Sequence, residues 1–260
     1  MKPILNVHAL PRYADPDELA GSVVVVIDVL RAATTIAYAL DARAAAVLPC
    51  LEVSDALALA ERFDEDEIVL GGERGGVPID GFQLGNSPEE YTEDRVAGRT
   101  VIFTTTNGTR AMTHARAADE ILIAGFVNVS ATVARLLERE QIHIICAGTH
   151  GNISDDDVLL AGMLIDRLAR QSGMGYQQNG QALTAREMWL HAFAMPHVLG
   201  AEPLEPDRLA DQLRKTLGAR HLIALGLDDD ILAAARIDRF QAVSRLDTKT
   251  FQIRSVDREP

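Results

Sequence analysis

Four short segments of this chain set charged and hydroxyl side chains immediately after a run of apolar residues. The first is Val23 to Thr35, VVVVIDVLRAATT, where Asp28 and Arg31 follow four valines and an isoleucine, with Thr34 and Thr35 just beyond. The second opens at Gly71 and reads GGERGGVPIDGFQLGNSP, with glycines on both sides of Glu73 and Arg74. The third is Thr104 to Arg110, TTTNGTR, and the fourth is Ala147 to Asp157, AGTHGNISDDD. Carboxylates are the hard oxygen ligands that Mg²⁺ prefers. Hydroxyls, backbone N–H groups and a guanidinium at the start of a helix are the usual means of holding phosphate or another tetrahedral oxyanion.

Each segment also has a plainer reading, as helix caps, a surface turn or a first-turn acid that suits the helix dipole. Three consecutive acids, Asp155 to Asp157, exceed what capping by Ser154 requires, and about 16 residues without regular structure, Gly71 to Asn86, point to a binding loop. GGERGG lacks the spacing of a dinucleotide fingerprint. His150 has the chemistry of a proton shuttle, yet a histidine in a glycine loop is more often incidental.

These residues need a scaffold that brings four loops to one place. Val23 to Ile27 reads as a strand covered on both faces, as in parallel sheets flanked by helices. Val101 to Phe103 and Ile142 to Cys146 repeat the pattern of strand, polar loop and helix, the helices running to about Leu40, Ala117 and Arg170. Ala44 to Leu48, Ile68 to Leu70 and Ile121 to Ala124 read as further strands, and Asp55 to Arg62 and Ser130 to Glu138 as helices. If the strands are parallel, the four loops share the sheet edge where α/β proteins bind ligands. Gln171 to Gly180 reads as a flexible connection. Thr184 to Ala235 is helical, with breaks at Pro196, Gly200 to Pro206 and Gly218, and Asp228 to Asp230 caps its last helix. Phe240 to Leu246 and Phe251 to Ile253 suit a terminal hairpin or edge strands. The expected architecture is a three-layer α/β/α unit over residues 1–260 with a mainly parallel or mixed sheet and a helical C-terminal lobe, the lobes dividing as 1–175 and 176–260.

With 38 acidic against 25 basic side chains the formal charge is −13, a field that repels nucleic acid. No window approaches the roughly 18 apolar residues of a membrane helix and no secretory signal precedes the first strand, so a cytoplasmic protein with no membrane partner is expected. Cys50 and Cys146 lie in or beside apolar runs and read as buried free thiols.

Taken together, VVVIDVLRAATTI (Val24 to Ile36), GGERGG (Gly71 to Gly76), GFQLGNSPEEY (Gly81 to Tyr91), TTTNGTRAM (Thr104 to Met112) and AGTHGNISDDDVLLAG (Ala147 to Gly162) resemble the ComB-like 2-phosphosulfolactate phosphatase family over most of the chain. The resemblance implies Mg²⁺-dependent hydrolysis of 2-phosphosulfolactate, a phosphate monoester of a small sulfonated hydroxy acid, to sulfolactate and phosphate. It carries over Asp28, Arg31, Glu73, Arg74, Asn86, Ser87, Asn107, Gly108, Thr109, Ser154, Asp156 and Asp157. Where the family usually has Ser-Leu-Glu-Asp this chain has Ser154 to Asp157, so Asp156 keeps the charge and loses one methylene of reach; Ala33 stands where threonine is common.

On this reading Asp28, Arg31 and Glu73 are catalytic, and Asp28, Glu73, Asp156 and Asp157 hold Mg²⁺. Arg31, Arg74, Arg110, Asn86, Ser87, Thr105 to Thr109, Thr149 and Ser154 bind substrate. Either Asp28 or a metal-activated water attacks phosphorus. The alternatives are a phosphatase for another phosphorylated hydroxy acid, and a non-catalytic receptor for an anionic metabolite. A homodimer is the expected assembly, as closed two-fold dimers are the commonest soluble oligomers.

Overall fold

The computed structural model describes residues 2–173, 175–194 and 205–256. In chain order it begins with β1 (Ile4–His8), β2 (Val23–Ile27), α1 (Ala32–Asp41), β3 (Ala46–Cys50), α2 (Val53–Ala60), β4 (Ile68–Arg74) and β5 (Val77–Pro78). There follow the single turn α3 (Glu93–Val96), β6 (Thr100–Thr104), α4 (Gly108–His114), β7 (Glu120–Ala124), α5 (Val129–Leu136), β8 (Gln141–Cys146) and α6 (Asp155–Ser172). The C-terminal part holds β9 (Gln177–Gln178), α7 (Gly180–Trp189), α8 (Pro206–Leu213), α9 (Leu217–Ala224), α10 (Asp228–Ala234), β10 (Val243–Leu246) and β11 (Ile253–Val256).

All strands join one mixed sheet in the order β5-β4-β6-β3-β11-β10-β7-β2-β8-β1-β9. Two parallel blocks, β4-β6-β3 and β7-β2-β8-β1-β9, are bridged by the antiparallel hairpin β10–β11. The three-layer expectation holds, and β2 shows why. Every residue of β2 is buried, and because successive side chains point to opposite faces, Val23, Val25 and Ile27 enter a core with α5 to α7 while Val24 and Val26 enter another with α1 and α4. Helix α1 is buried from Ala32 to Leu40, which accounts for its alanines and lack of charge before Asp41.

Three local expectations change. The segment from Gly71 is not wholly a loop: β4 continues through Arg74, pairs with β6 as far as Gly72, and turns back into β5. A Cβ on Gly72 would meet the Thr104 carbonyl and one on Gly71 the Tyr91 hydroxyl, so these glycines serve close approach within a strand and blur its apolar signature. The terminal hairpin exists, yet it lies at the middle of the sheet, where Ser244 to Leu246 pair with β7 and Ile253 pairs with Val47 of β3. The span 171–180 contains the end of α6, β9 and the start of α7, and Gly218 lies inside α9 rather than at a break. The breaks expected at Pro196 and from Gly200 to residue 204 fall outside the described residues, whereas Pro206 opens α8. Strand β1, whose alternation is short, was not foreseen; it pairs in parallel with β8.

Candidate active site

The four loops do meet. Asp28 and Arg31 after β2, Glu73 at the end of β4, Thr105 to Asn107 after β6, and Thr149 and His150 after β8 line one cleft of about 50 Å³ at the carboxyl ends of the strands. A larger open groove of about 650 Å³ lies at the opposite strand ends, where Arg135 and Arg139 share Glu120 and charged groups of both signs are intermixed.

Asp28 is the first residue past β2 and is buried. Its Oδ1 accepts the Ala32 N–H at 3.2 Å, so the carboxylate also closes the first turn of α1, the capping expected of it. Its Oδ2 faces Gly108, where an added Cβ would stand 2.7 Å away. Gly108 and Thr109 are themselves buried behind the cleft; the Thr109 hydroxyl meets that of Thr105 at 3.3 Å. Thr34 and Thr35, considered as anion donors, instead give their hydroxyls to the carbonyls of Val29 and Asn86.

Strand geometry separates Glu73 from Arg74. Consecutive residues of a strand point to opposite sides, and β4 includes both. Glu73 turns into the cleft and accepts the Gly76 N–H at 2.6 Å and the Thr106 N–H at 2.8 Å, tying the β4–β5 hairpin to the threonine loop. Arg74 turns away to the Leu51 carbonyl and the Thr104 hydroxyl, both at 2.8 Å, and does not line the cleft. Arg110 is likewise outside it, exposed on α4.

Arg31 lines the cleft but arrives with a partner from the C-terminal part. Its Nη1 lies 2.8 Å from Asp230 of α10, with both side chains buried; Ser87 also donates to that carboxylate at 2.9 Å. Arg31 further donates to Ser87 Oγ at 3.3 Å and to the Gly76 carbonyl at 2.9 Å. A guanidinium has five N–H groups, so Nε and one hydrogen of Nη2 remain for a ligand. Asp230 belongs to the acidic run expected merely to cap the last helix.

The acids of α6 divide by exposure. Asp155 is exposed, while Asp156 and Asp157 are buried. Ser154 occupies the N-cap position but gives its hydroxyl to Asp156 Oδ1 at 2.6 Å, and Thr149 reaches Ser154 at 3.1 Å. Asp157 accepts the N–H groups of Val29 at 2.9 Å and Gly148 at 3.0 Å. That places it as a brace between the loops after β2 and β8, outside the cleft lining. Asp156 stands just behind Gly218 of α9, whose Cβ position is 3.6 Å from its Oδ1.

Helix α9 is the contribution that sequence reasoning missed. Gly218, His221 and Leu222 line the cleft, and His221 Nε2 donates to the Gly75 carbonyl at 3.1 Å. A helical lobe with ordinary periodicity carries no local mark of such a role. The sequence offered only the acidic run Asp228 to Asp230 and a glycine where a helix otherwise avoids one.

Electrostatically the cleft is short of positive charge. Burial, then the neighbouring Asp156, pushes the Asp28 carboxyl up to about 7. Asp156 is raised by burial, and Asp157 well raised by burial and by Asp156 and Asp28. Two polar atoms at the cleft, Asn86 Oδ1 and Thr106 Oγ1, are buried without a partner. Among the described residues no three His, Cys, Asp or Glu side chains are gathered as a ready-made metal cage. Mg²⁺ does not need one, since it is commonly held by one or two carboxylates plus water and substrate phosphate. Mutually repelling, buried carboxylates beside orphaned oxygen atoms therefore fit a hard divalent cation. Both cysteines are free and buried, as expected.

The cleft thus gathers carboxylates, a guanidinium and hydroxyls at the strand ends of a mixed α/β sheet, the place where α/β enzymes bind their ligands. A family model for 2-phosphosulpholactate phosphatase matches residues 9–249, and the chain belongs to that family of phosphoric monoester hydrolases. It is 40% identical over 222 residues to a probable 2-phosphosulfolactate phosphatase of Symbiobacterium thermophilum, covering 85% of this chain and 89% of the relative. Proteins of the same name from Caldanaerobacter subterraneus subsp. tengcongensis (38% over 225 residues, 86% and 87% covered) and Thermotoga maritima (36% over 223 residues, 85% and 88% covered) are also similar. Among the described residues no helix is long and apolar enough to cross a membrane.

Proposed function

We propose that this chain is a Mg²⁺-dependent phosphatase that hydrolyses 2-phosphosulfolactate to sulfolactate and phosphate. The reading is carried by the convergence of Asp28, Glu73, Arg31 and the Thr105 to Asn107 loop on one cleft in a chain of this family. Asp28, Asp156 and Glu73 would hold the cation, with Asp157 bracing the loops behind them. When bound it supplies charge neutralisation at the phosphoryl oxygens.

The chain's own groups do the rest. The two free N–H groups of Arg31 and the unpartnered Thr106 hydroxyl meet phosphoryl oxygens, and Asp230 fixes the guanidinium from behind. Phosphoryl transfer depends on such positioning more than on covalent chemistry. Asp28 is the group placed to act on phosphorus or on the attacking water. As the acid ending a buried strand beside that cation, it suits a nucleophile or a base toward the attacking water.

The test is phosphate release from 2-phosphosulfolactate and from phospholactate, with Mg²⁺ and with EDTA, by the wild type and by Asp28→Asn. Chelation should abolish turnover, and the substitution should lower kcat by about two orders of magnitude or more. Turnover indifferent to EDTA refutes the metal assignment, and full activity of Asp28→Asn refutes the role of that carboxylate.

A further inference from the structure

We propose that His150 and His221 recognise the acid group at the non-phosphate end of the substrate and so set which phosphate monoesters are accepted. The inference rests on the phosphatase reading and deepens it. Among the described residues five ionisable side chains line the cleft: Asp28, Glu73, Arg31, His150 and His221. The first two are acids, and the charge of Arg31 is matched by Asp230 at 2.8 Å. The two imidazoles are the remaining groups on that lining able to carry positive charge toward a second anionic group.

Their placement suits the distal end. Asp28, Arg31 and Glu73 form the buried inner part of the cleft. With phosphate drawn inward to Arg31 and the threonine loop, the other end lies at the mouth. His150 and His221 are both exposed there, ring centroids 6.4 Å apart and nearly perpendicular. The rings come from opposite sides, one from the loop after β8 and the other from α9.

Each histidine is held in place through an atom it does not need for a ligand. His221 donates Nε2–H to the Gly75 carbonyl, so Nδ1 turns an N–H toward an anion only as the imidazolium. His150 has φ of 50°, a left-handed conformation that a histidine adopts at some cost, and its backbone N–H donates to Asn107 Oδ1 at 3.3 Å. The imidazole therefore projects from a backbone fixed by a residue of the phosphate loop. Sulfonate and carboxylate are both anions that such a pair can accept.

The experiment compares His150→Asn, His221→Gln and the double variant with wild type. Asparagine tolerates the left-handed backbone and glutamine can still donate to Gly75, so the loops keep their supports. Turnover is measured on 2-phosphosulfolactate and on phenyl phosphate, which lacks the acid group. The expected result is a fall of about tenfold per substitution in the ratio of kcat/KM for the two substrates, residing in KM. An equal loss on both substrates, a loss confined to kcat, or an unchanged ratio overturns the proposal. Calorimetry with the separate products needs no turnover and so distinguishes this inference from the phosphatase reading. Sulfolactate should bind wild type about tenfold more tightly than either single variant, while inorganic phosphate loses less than twofold. Sulfolactate that binds all forms equally, or none, refutes the assignment even where phosphate binds.

Discussion

Replacing Gly108 by alanine tests the candidate site with a single methyl group. That glycine is the first residue of α4 and is not among the positive-φ glycines, so alanine brings no backbone strain and should gain ~1 kcal/mol of helix propensity. The cost is local. The new Cβ would stand 2.7 Å from Asp28 Oδ2 and 2.8 Å from the Ala32 Cβ, with Thr105 Oγ1 at 3.4 Å. Overpacking of that kind costs about 1–3 kcal/mol, so the net destabilisation is about 0–2 kcal/mol, a Tm decrease of no more than about 8 °C. The carboxylate has little room to yield, because Oδ1 is bonded to the Ala32 N–H and Asp156 repels it from beyond. Moving a reacting group by about 1 Å lowers the rate by about 100-fold. The expected outcome is a folded variant with Tm within about 8 °C of wild type and kcat for 2-phosphosulfolactate lower by about 100-fold. Gly108→Ala with kcat within threefold of wild type would refute the placement of Asp28 at the reacting centre.

Gly162→Ala should act on stability without touching the cleft. Its Cβ would run into the Ala185 carbonyl and stand 2.7 Å from the Trp189 Cβ where α6 packs on α7, so a loss of about 2 kcal/mol and a Tm lower by about 4–8 °C are expected in a thermal melt; an unchanged or higher Tm contradicts the close helix contact. Acid should weaken the β1–β8 pair through His8 and His143, whose ring nitrogens lie 3.0 Å apart in the interior. His8 Nδ1 lies 3.1 Å from the Tyr13 carbonyl and must donate to it, so its Nε2 accepts from His143 and both rings are held neutral. Burial, then His8, depresses His143 from 6.5 to about 4. A histidine lowered in the folded state binds protons more readily when unfolded, so this contribution is present above about pH 6.5 and is lost as pH falls toward 4. The shift corresponds to ~3 kcal/mol, discounted to about 2 for solvent screening. Urea unfolding at pH 7 and pH 4.5 should show wild type losing about 2 kcal/mol more than His143→Asn; equal losses would contradict the buried neutral pair.

Much of this protein can be read from local pattern. Four valines and an isoleucine before Asp28 specify a strand buried on both faces and an acid at its end, because side-chain alternation and the cost of burying charge act within a few residues. The loops after β2, β6 and β8 are legible for the same reason, as are Ser154 at an N-cap position and the two free, buried cysteines. What local pattern did not decide is which long side chains face the cleft. Glu73 enters and Arg74 leaves because β4 extends to both, and the strand was masked by glycines whose task is close approach to Thr104 and Tyr91. The position of the terminal hairpin was also out of reach, since any antiparallel pair can sit at an edge or between two parallel blocks until the partners are known. Above all, Asp230, Gly218 and His221 come to the site from helices more than a hundred residues beyond Asp28 and Glu73, through an ion pair and a packing contact. Long-range contacts of that kind depend on how whole faces fit together, which tertiary packing alone decides; the chain by itself names the acids that can do chemistry, and the fold determines which of them meet and what closes over them.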